Sequence, residues 1–405
     1  MTFSSTIDLT GVANDGSDII YVAGTSGERH LFRITSFTGG VSTCTGLSLA
    51  DAIGASGLSA SAWGIGGKRQ TLSADSSNQD LQDQSEGWRF ELEGTGSTYT
   101  LTGTNTLTST HAVGGFLTNG PQELIAAAGA TPKITWTGDV EAINLPTGSM
   151  LKISGIAFEN TTSVSNSASA VVAAAGSSYV DIDNCSFVAS GRFVTGAASV
   201  YGKIISCDIK STYNQGLWLR ARSSVLIADC NIHECGVAGS SSNGKGIYIQ
   251  NSNGLCGLTI VSNRVWGCYA TGIEVVDQYI SHNVVIQNNV LDNNGSHGVY
   301  FIGTLADSWR CQCFNNIFTR NGGYGMSMSS SSGADLALWN DYNAYGAGSF
   351  ANTSGQTQNI TVGPHSVTLG SSVDPYVDST NHDYRLNNTA GGGAACFKAG
   401  FGYGA

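Results

Sequence analysis

Ile182-Asp183-Asn184-Cys185-Ser186-Phe187 is followed by Ile204-Ile205-Ser206-Cys207-Asp208-Ile209 and then by Ile227-Ala228-Asp229-Cys230-Asn231-Ile232. The shared phrase is an apolar residue, two intervening residues, a Cys or Asn, one residue, and a second apolar residue. It continues as Ile260, Asn263 and Val265, as Ile286, Asn289 and Leu291, and as Cys313, Asn316 and Phe318. Ile153, Ile156 and Phe158 read as the copy before, and Leu338, Asp341 and Asn343 as a worn copy after. From 153 to 338 the anchors step by 29, 22, 23, 33, 26, 27 and 25 residues. Such a period, broken only by loop insertions, is that of a solenoid.

A second phrase lies between the anchors. Gly216-Leu217-Trp218-Leu219, Gly246-Ile247-Tyr248-Ile249, Gly272-Ile273-Glu274-Val275, Gly298-Val299-Tyr300-Phe301 and Gly325-Met326-Ser327-Met328 each give a glycine turn followed by in-out-in alternation. Two or three short strands per repeat, with no helical periodicity between them, make each repeat one turn of a parallel β-helix. Turns then stack about 4.8 Å apart, and equivalent side chains form ladders. An inward Asn at a bend can bond the turns above and below, the role expected of Asn263, Asn289 and Asn316. Cys185, Cys207 and Cys230 fill the same place as small apolar thiols. The residues just before them, Asn184, Ser206, Asp229, Ser262, Asn288, Asn315 and Asn340, are expected on the outside of that bend.

Composition agrees with many short strands. The chain has 405 residues, 54 of them glycine and only 5 proline, with 12% charged and 41% hydrophobic residues. The formal charge is −11, without any Lys/Arg run, which makes nucleic acid and anionic membranes poor partners. No stretch reaches the roughly 20 apolar residues of a membrane span. Met1-Thr2-Phe3-Ser4-Ser5 lacks the features of a secretory signal. Ten cysteines without a Cys-x-x-Cys, and scattered His residues, argue against zinc. Mostly free thiols and folding in a reducing compartment are expected.

In chain order, residues 1–45 read as an N-terminal β appendage or adaptor, with strands at Ile19–Val22 and His30–Ile34. Leu47–Ala55, with Ser48 as its cap, is the one helical stretch, placed to cover the open end of the core. Residues 46–346 form the β-helix, irregular before 151 and regular from 151. Residues 347–405 are a closing segment, with strands expected at Asn359–Val362 and Ser366–Leu369, then Asp374-Pro375-Tyr376-Val377 and His382-Asp383-Tyr384-Arg385-Leu386.

With its Val-x-Ile-x-x-Asn phrases and Asp-Pro ending, the chain resembles the right-handed parallel β-helix superfamily, the pectate-lyase-like fold of polysaccharide lyases, glycosidases and phage tailspikes. The resemblance covers about 46–400 and implies an all-β, right-handed, single-stranded parallel β-helix. Phage fibres and spikes of this fold are commonly trimers, so the resemblance leaves both a homotrimer and a monomer open, and no heptad appears here. Lyases of the fold use calcium-binding aspartates on one face and a basic residue that removes a proton beside a uronate. No acidic pair here repeats over neighbouring turns as such a calcium site requires, so no metal or cofactor is expected outside the lyase alternative.

The outward position of the second phrase runs Trp218, Tyr248, Glu274, Tyr300 and Ser327. Aromatic faces with polar edges suit a sugar chain, so Trp218, Tyr248, Glu274 and Tyr300 are the expected solvent-facing carbohydrate contact. For chemistry, Glu274 with Asp277 is the central acidic pair, and Arg220, Arg222 and Arg264 are the candidate bases or charge clamps. Asp208 with Asp229 is a second pair, while His233 and His282 read as turn histidines. The favoured function is a noncatalytic structural or glycan-binding β-helix of a virus or phage particle, folded in the host cytoplasm and contacting other particle proteins through its N-terminal region. The alternative is a polysaccharide lyase or glycoside hydrolase acting on a surface polysaccharide.

Overall fold

Each copy of the phrase folds as two short strands on either side of a sharp corner. Ser178–Asp183 and Ser186–Ala189 flank Asn184-Cys185, and Val200–Ile205 and Asp208–Ser211 flank Ser206-Cys207. The corner is made by one left-handed residue: Asn184, Ser206, Asp229, Ser262, Asn288 and Asn315 have φ between 50° and 59°. Short polar side chains tolerate this conformation better than branched ones, which explains their recurrence before the Cys or Asn. The glycine-led phrase supplies the third strand, for example Leu217–Arg220 and Ile273–Asp277.

In the computed structural model these strands stack in parallel into three sheets of one β-helix. The structure describes strand backbones before residue 122, together with the side chain of Leu92, and most of residues 122–399. Outside the described set lie 137–141, 146, 161–169, 175–177, 190, 197–199, 221–222, 238–243, 252–255, 278–281, 304–308, 330–336, 371–372 and 400–405, with some side chains bordering them.

Register fixes the ladders. In the first sheet Ile153 pairs with Ile182, then Ile204, Ile227, Ile260, Ile286 and Cys313 follow, all buried. The next rung differs from the sequence reading. Cys313 pairs with Asn340 rather than Leu338, and Tyr342, not Asn340, takes the left-handed corner at φ 57°. The eighth copy is therefore Asn340, Asn343 and Tyr345, and Asp341 faces out of the anchor position.

Parallel pairing extends beyond the regular phrases at both ends. Arg89–Leu92, Thr98–Leu101 and Asn105–Thr106 pair with Gln122–Ala126, Lys133–Trp136 and Ile143–Leu145. Gly355–Gln358 and Val367–Thr368 continue the third and second sheets past residue 346. Thr2–Ser4, Val41–Gly46, Arg29–Thr38 and Ile19–Ala23 form an antiparallel edge that joins the first sheet through Ala62–Arg69. The expected capping helix at Leu47–Ala55 lies outside the described residues. A helix forms instead at Gly393–Ala399, where no helix was expected. Asn359–Val362 is not a strand; Ile360 and Val362 pack onto the end of the core.

The C-terminal segment folds back over the second sheet. Its hairpin, Tyr376–Asp378 with Asp383–Leu386, puts Tyr376 and Tyr384 against Trp266, Ile317 and Ala344. Buried Asp292 anchors it, accepting hydrogen bonds from Thr319 Oγ1 at 2.7 Å, from the Tyr384 hydroxyl at 2.9 Å and from the Arg320 guanidinium. No helix among the described residues is long and apolar enough to cross a membrane.

Candidate functional site

The third sheet begins each turn at a glycine, and that glycine is required by space. A Cβ on Gly246 would meet the Gly272 carbonyl oxygen at 2.7 Å, and one on Gly272 would meet that of Gly298 at 2.8 Å. Successive turns can stack this closely only without the side chain. The stack fixes the parity of every following strand, so Trp218, Tyr248, Glu274, Tyr300 and Ser327 are register partners on one outer row.

A second row forms just before the glycines, from Gln215, Lys245, Thr271, His297 and Tyr324. The two rows interlock. Lys245 Nζ lies 2.7 Å from Glu274 Oε1 and 4.0 Å from the centre of the Tyr248 ring. Trp218 stacks on Tyr248 with centroids 6.0 Å apart, and the guanidinium carbons of Arg192 and Arg220 lie 4.0 and 4.1 Å from its ring centre. Arg192 also donates to Gln215 Oε1 at 2.7 Å, and Arg220 to Gln250 Oε1 at 3.3 Å. His297 lies over Tyr300 and Tyr324, and its Nδ1 accepts the Tyr324 amide proton at 3.0 Å.

The row is thus less open than sequence alternation implies. Glu274 is 6% exposed, Lys245 7% and Arg192 5%, although all stand on the outer side of a sheet. The expected solvent-facing stripe is corrected in part: Glu274 and Ser327 are buried, while Trp218, Tyr248 and Tyr300 are half-buried, with cations over the rings of Trp218 and Tyr248. What remains open is a cleft of about 590 Å3 lined by Glu274, Tyr300, Thr271, Tyr269, Asn293 and Ser296, among others.

Electrostatics follow from that burial. Burial raises the Glu274 carboxyl above its ordinary value, against the opposing pull of Lys245 and of a Thr271 hydrogen bond. Burial, then the Glu274 charge, raises the Tyr300 phenol, and burial lowers His297. The cleft wall therefore carries a carboxyl of raised pKa and a phenol, with Lys245 paired to that carboxyl and His297 packed on the phenol ring. Among the described residues no group of three or more His, Cys, Asp or Glu could hold a metal ion.

Other sequence candidates fall elsewhere. Asp277 ends the Glu274 strand, but its side chain, with those of Arg222 and His282, lies outside the described residues. Arg264 is on the second sheet, where it donates to Asn231 Oδ1 at 3.3 Å, and does not join Glu274. Asp208 is 3.4 Å from His233 on that second sheet, while Asp229 is the corner residue before Cys230. His233 stacks on Trp266 at 4.5 Å, beneath the C-terminal segment. Arg192, Lys245 and His297 were missed by sequence reading. Their signal was positional: Lys245 and His297 immediately precede the ladder glycines.

The corner residues make ladders. Asn263 Nδ2 donates to Ile227 O and to Asn289 Oδ1, Asn289 Nδ2 to Ile260 O and Asn316 Oδ1, and Asn316 Nδ2 to Ile286 O and Asn343 Oδ1. Cys185, Cys207 and Cys230 are buried below them as free thiols. A second ladder at the next corner, Cys235, Cys268, Asn294, Asn321 and Asn352, was not read from the sequence. Its members follow the first ladder by five residues in four turns: 230 to 235, 263 to 268, 289 to 294 and 316 to 321.

A family model described as right handed beta helix region matches residues 139–280 and 240–340. No curated protein sequence matches the chain. Among solved structures, the periplasmic alginate epimerase AlgG is similar at 12% identity, over 76% of this chain and 83% of that one, with a TM-score of 0.37. A variant of that epimerase gives 12%, 76%, 84% and 0.41. A Geobacillus virus E2 protein is similar at 12% identity over 64% of this chain and 52% of its own, with a TM-score of 0.27.

Proposed function

We propose that this right-handed parallel β-helix binds an extended sugar chain along the outer face of its third sheet and acts on it at Glu274, as a polysaccharide lyase or glycoside hydrolase. The observation that carries the reading is the Lys245–Glu274 pair, buried on an outward face at the wall of a cleft. Burying two charges costs several kcal/mol per ion before pairing repays it, and an apolar pair would stabilise the fold as well. Perturbed carboxyls in clefts are typical of reactive sites.

The described lining favours elimination over hydrolysis. Hydrolysis of a glycoside uses two carboxyl groups roughly 5 to 9.5 Å apart, and Glu274 is the one carboxyl among the described cleft residues. Elimination needs one base for the proton beside a uronate carboxylate and a cation to hold that carboxylate. Glu274 takes the proton, the electron pair forms the ring double bond, and the glycosidic C–O bond breaks. The leaving oxygen then takes a proton from a neighbouring donor such as the Tyr300 hydroxyl. Lys245, Arg220 and Arg192 supply positive charge along the same face.

The test is a panel of acidic and neutral polysaccharides, with and without calcium, followed by unsaturated-product absorbance and by new reducing ends. Turnover by the native protein that falls about 10²- to 10⁴-fold in Glu274→Gln is the expected result. Turnover unchanged by that substitution rejects Glu274. A second reading, noncatalytic glycan recognition by a particle component, draws on the half-buried Trp218 ring and the guanidinium groups of Arg192 and Arg220 packed on it. Binding without any product, lost in Trp218→Ala, would establish it instead.

A further inference from the structure

The outer side of the first corner carries a second groove, on another part of the solenoid from Glu274. Its floor is the column of left-handed residues Asp229, Ser262, Asn288 and Asn315, one per turn. Its far wall is the C-terminal segment, through Tyr384, Leu386 and Cys396, and the space between is about 420 Å3. Asp229, Ser262 and Asn288 are exposed, as is Arg264 beside them.

We propose that this groove binds a neutral oligosaccharide lying along the solenoid axis. Three features decide the ligand class. First, the floor repeats one short polar side chain at the rung spacing of about 4.8 Å. A sugar ring in an extended chain advances by a comparable distance, so successive rings meet equivalent donors and acceptors. Second, the backbone amides of the corner are already engaged. The amides of Asp229, Ser262 and Asn288 donate to Val261 O, Gln287 O and Phe314 O of the next turn. An extended peptide recognised by strand addition needs such groups, whereas a polyhydroxylated chain can be read by side chains alone. Third, Val290, Val367 and Leu386 give the groove partly exposed apolar surface for ring faces, opposite the polar floor. The charges of the lining, Asp229 and Arg264, balance, so the ligand is an uncharged chain rather than the acidic one suited to the Lys245 face.

The floor can be altered without straining the corner, because glycine adopts the left-handed conformation freely. Calorimetric titration with cellohexaose, maltohexaose and hexagalacturonate would be run on the native protein, Asp229→Gly/Asn288→Gly, Arg264→Ala and Trp218→Ala. The proposal expects a neutral hexaose to bind the native protein and Trp218→Ala equally, and at least tenfold more weakly to the double glycine variant. A circular dichroism spectrum and thermal midpoint like the native ones would show that this variant is folded. Absence of neutral-hexaose binding overturns the groove, as does binding that survives the double variant or disappears in Trp218→Ala. Binding of hexagalacturonate alone, abolished by Trp218→Ala, overturns it too while leaving the third-sheet site standing.

Discussion

Asn289 shows how much one side chain can carry in a stacked fold. Its amide oxygen accepts from both the backbone and side-chain nitrogen of Asn263, and its Nδ2 serves Ile260 O and Asn316 Oδ1. Asn289→Ala strands several buried groups at about 1–3 kcal/mol each, so a loss of about 3 kcal/mol or more is expected in urea denaturation. Asn289→Cys, which reproduces the lower half of the same ladder, should cost less. Glu274 gives a residue-scale prediction of another kind. If it is the base, activity requires its ionised form, so the acid limb of kcat/KM should lie above the ordinary Glu value of about 4.3. That limb should vanish with Glu274→Gln. The sequence revealed the outward position of Glu274 because strand parity is local. Its burial was hidden, because Lys245 comes from the preceding turn, 29 residues away. The second ladder was hidden for a related reason: only three-residue strands such as Asn231–His233 separate it from the first, too short for alternation to register.

The elements at the C-terminal end were the least legible. Alternation suggested strands at Asn359–Val362, yet Ile360 and Val362 both turn to the core end, where the chain crosses rather than pairs. Gly393–Ala399 has no apolar period and becomes a helix by packing on the outside of the second sheet. What holds this segment is polar and buried. Tyr384→Phe removes the hydroxyl donor to Asp292 and should cost about 1.5–3 kcal/mol, as for a bond to a charged group. The effect should show as faster proteolysis after residue 370, with the solenoid itself intact. Asp341 fastens another crossing. Burial alone would raise its carboxyl, but the His365 ring at 2.7 Å and the amides of His365 and Tyr342 outweigh burial and hold it below its ordinary value. The stabilisation is therefore complete above the unfolded value of about 3.9 and disappears as pH falls through the lowered one. Asp341→Asn should lower the thermal midpoint at pH 7, and the gap from the native protein should close toward pH 2.

On the scale of the molecule, the fold follows from a period that needs no knowledge of distant contacts. Each turn touches the next, so registering one phrase registers them all, and the antiparallel N-terminal edge and C-terminal hairpin depart from that logic. Solenoid stability is a sum over turns and their interfaces. Excising residues 263–288 joins Ser262 to Asn289 and restores the same corner with one turn fewer. The shortened protein should stay soluble, keep its β-sheet circular dichroism per residue and unfold at a lower urea concentration. Aggregation with loss of that signal would show that the turns are not interchangeable.

The asparagine columns also give the molecule an electric polarity. In both, every side-chain N–H that reaches the next asparagine points toward the C-terminal turns: Asn263 to Asn289 to Asn316 to Asn343, and Asn294 to Asn321 to Asn352. Amide dipoles aligned head to tail add instead of cancelling, as peptide dipoles do along a helix. Their positive ends face the C-terminal turns, the end at which the carboxylate of Asp341 is held.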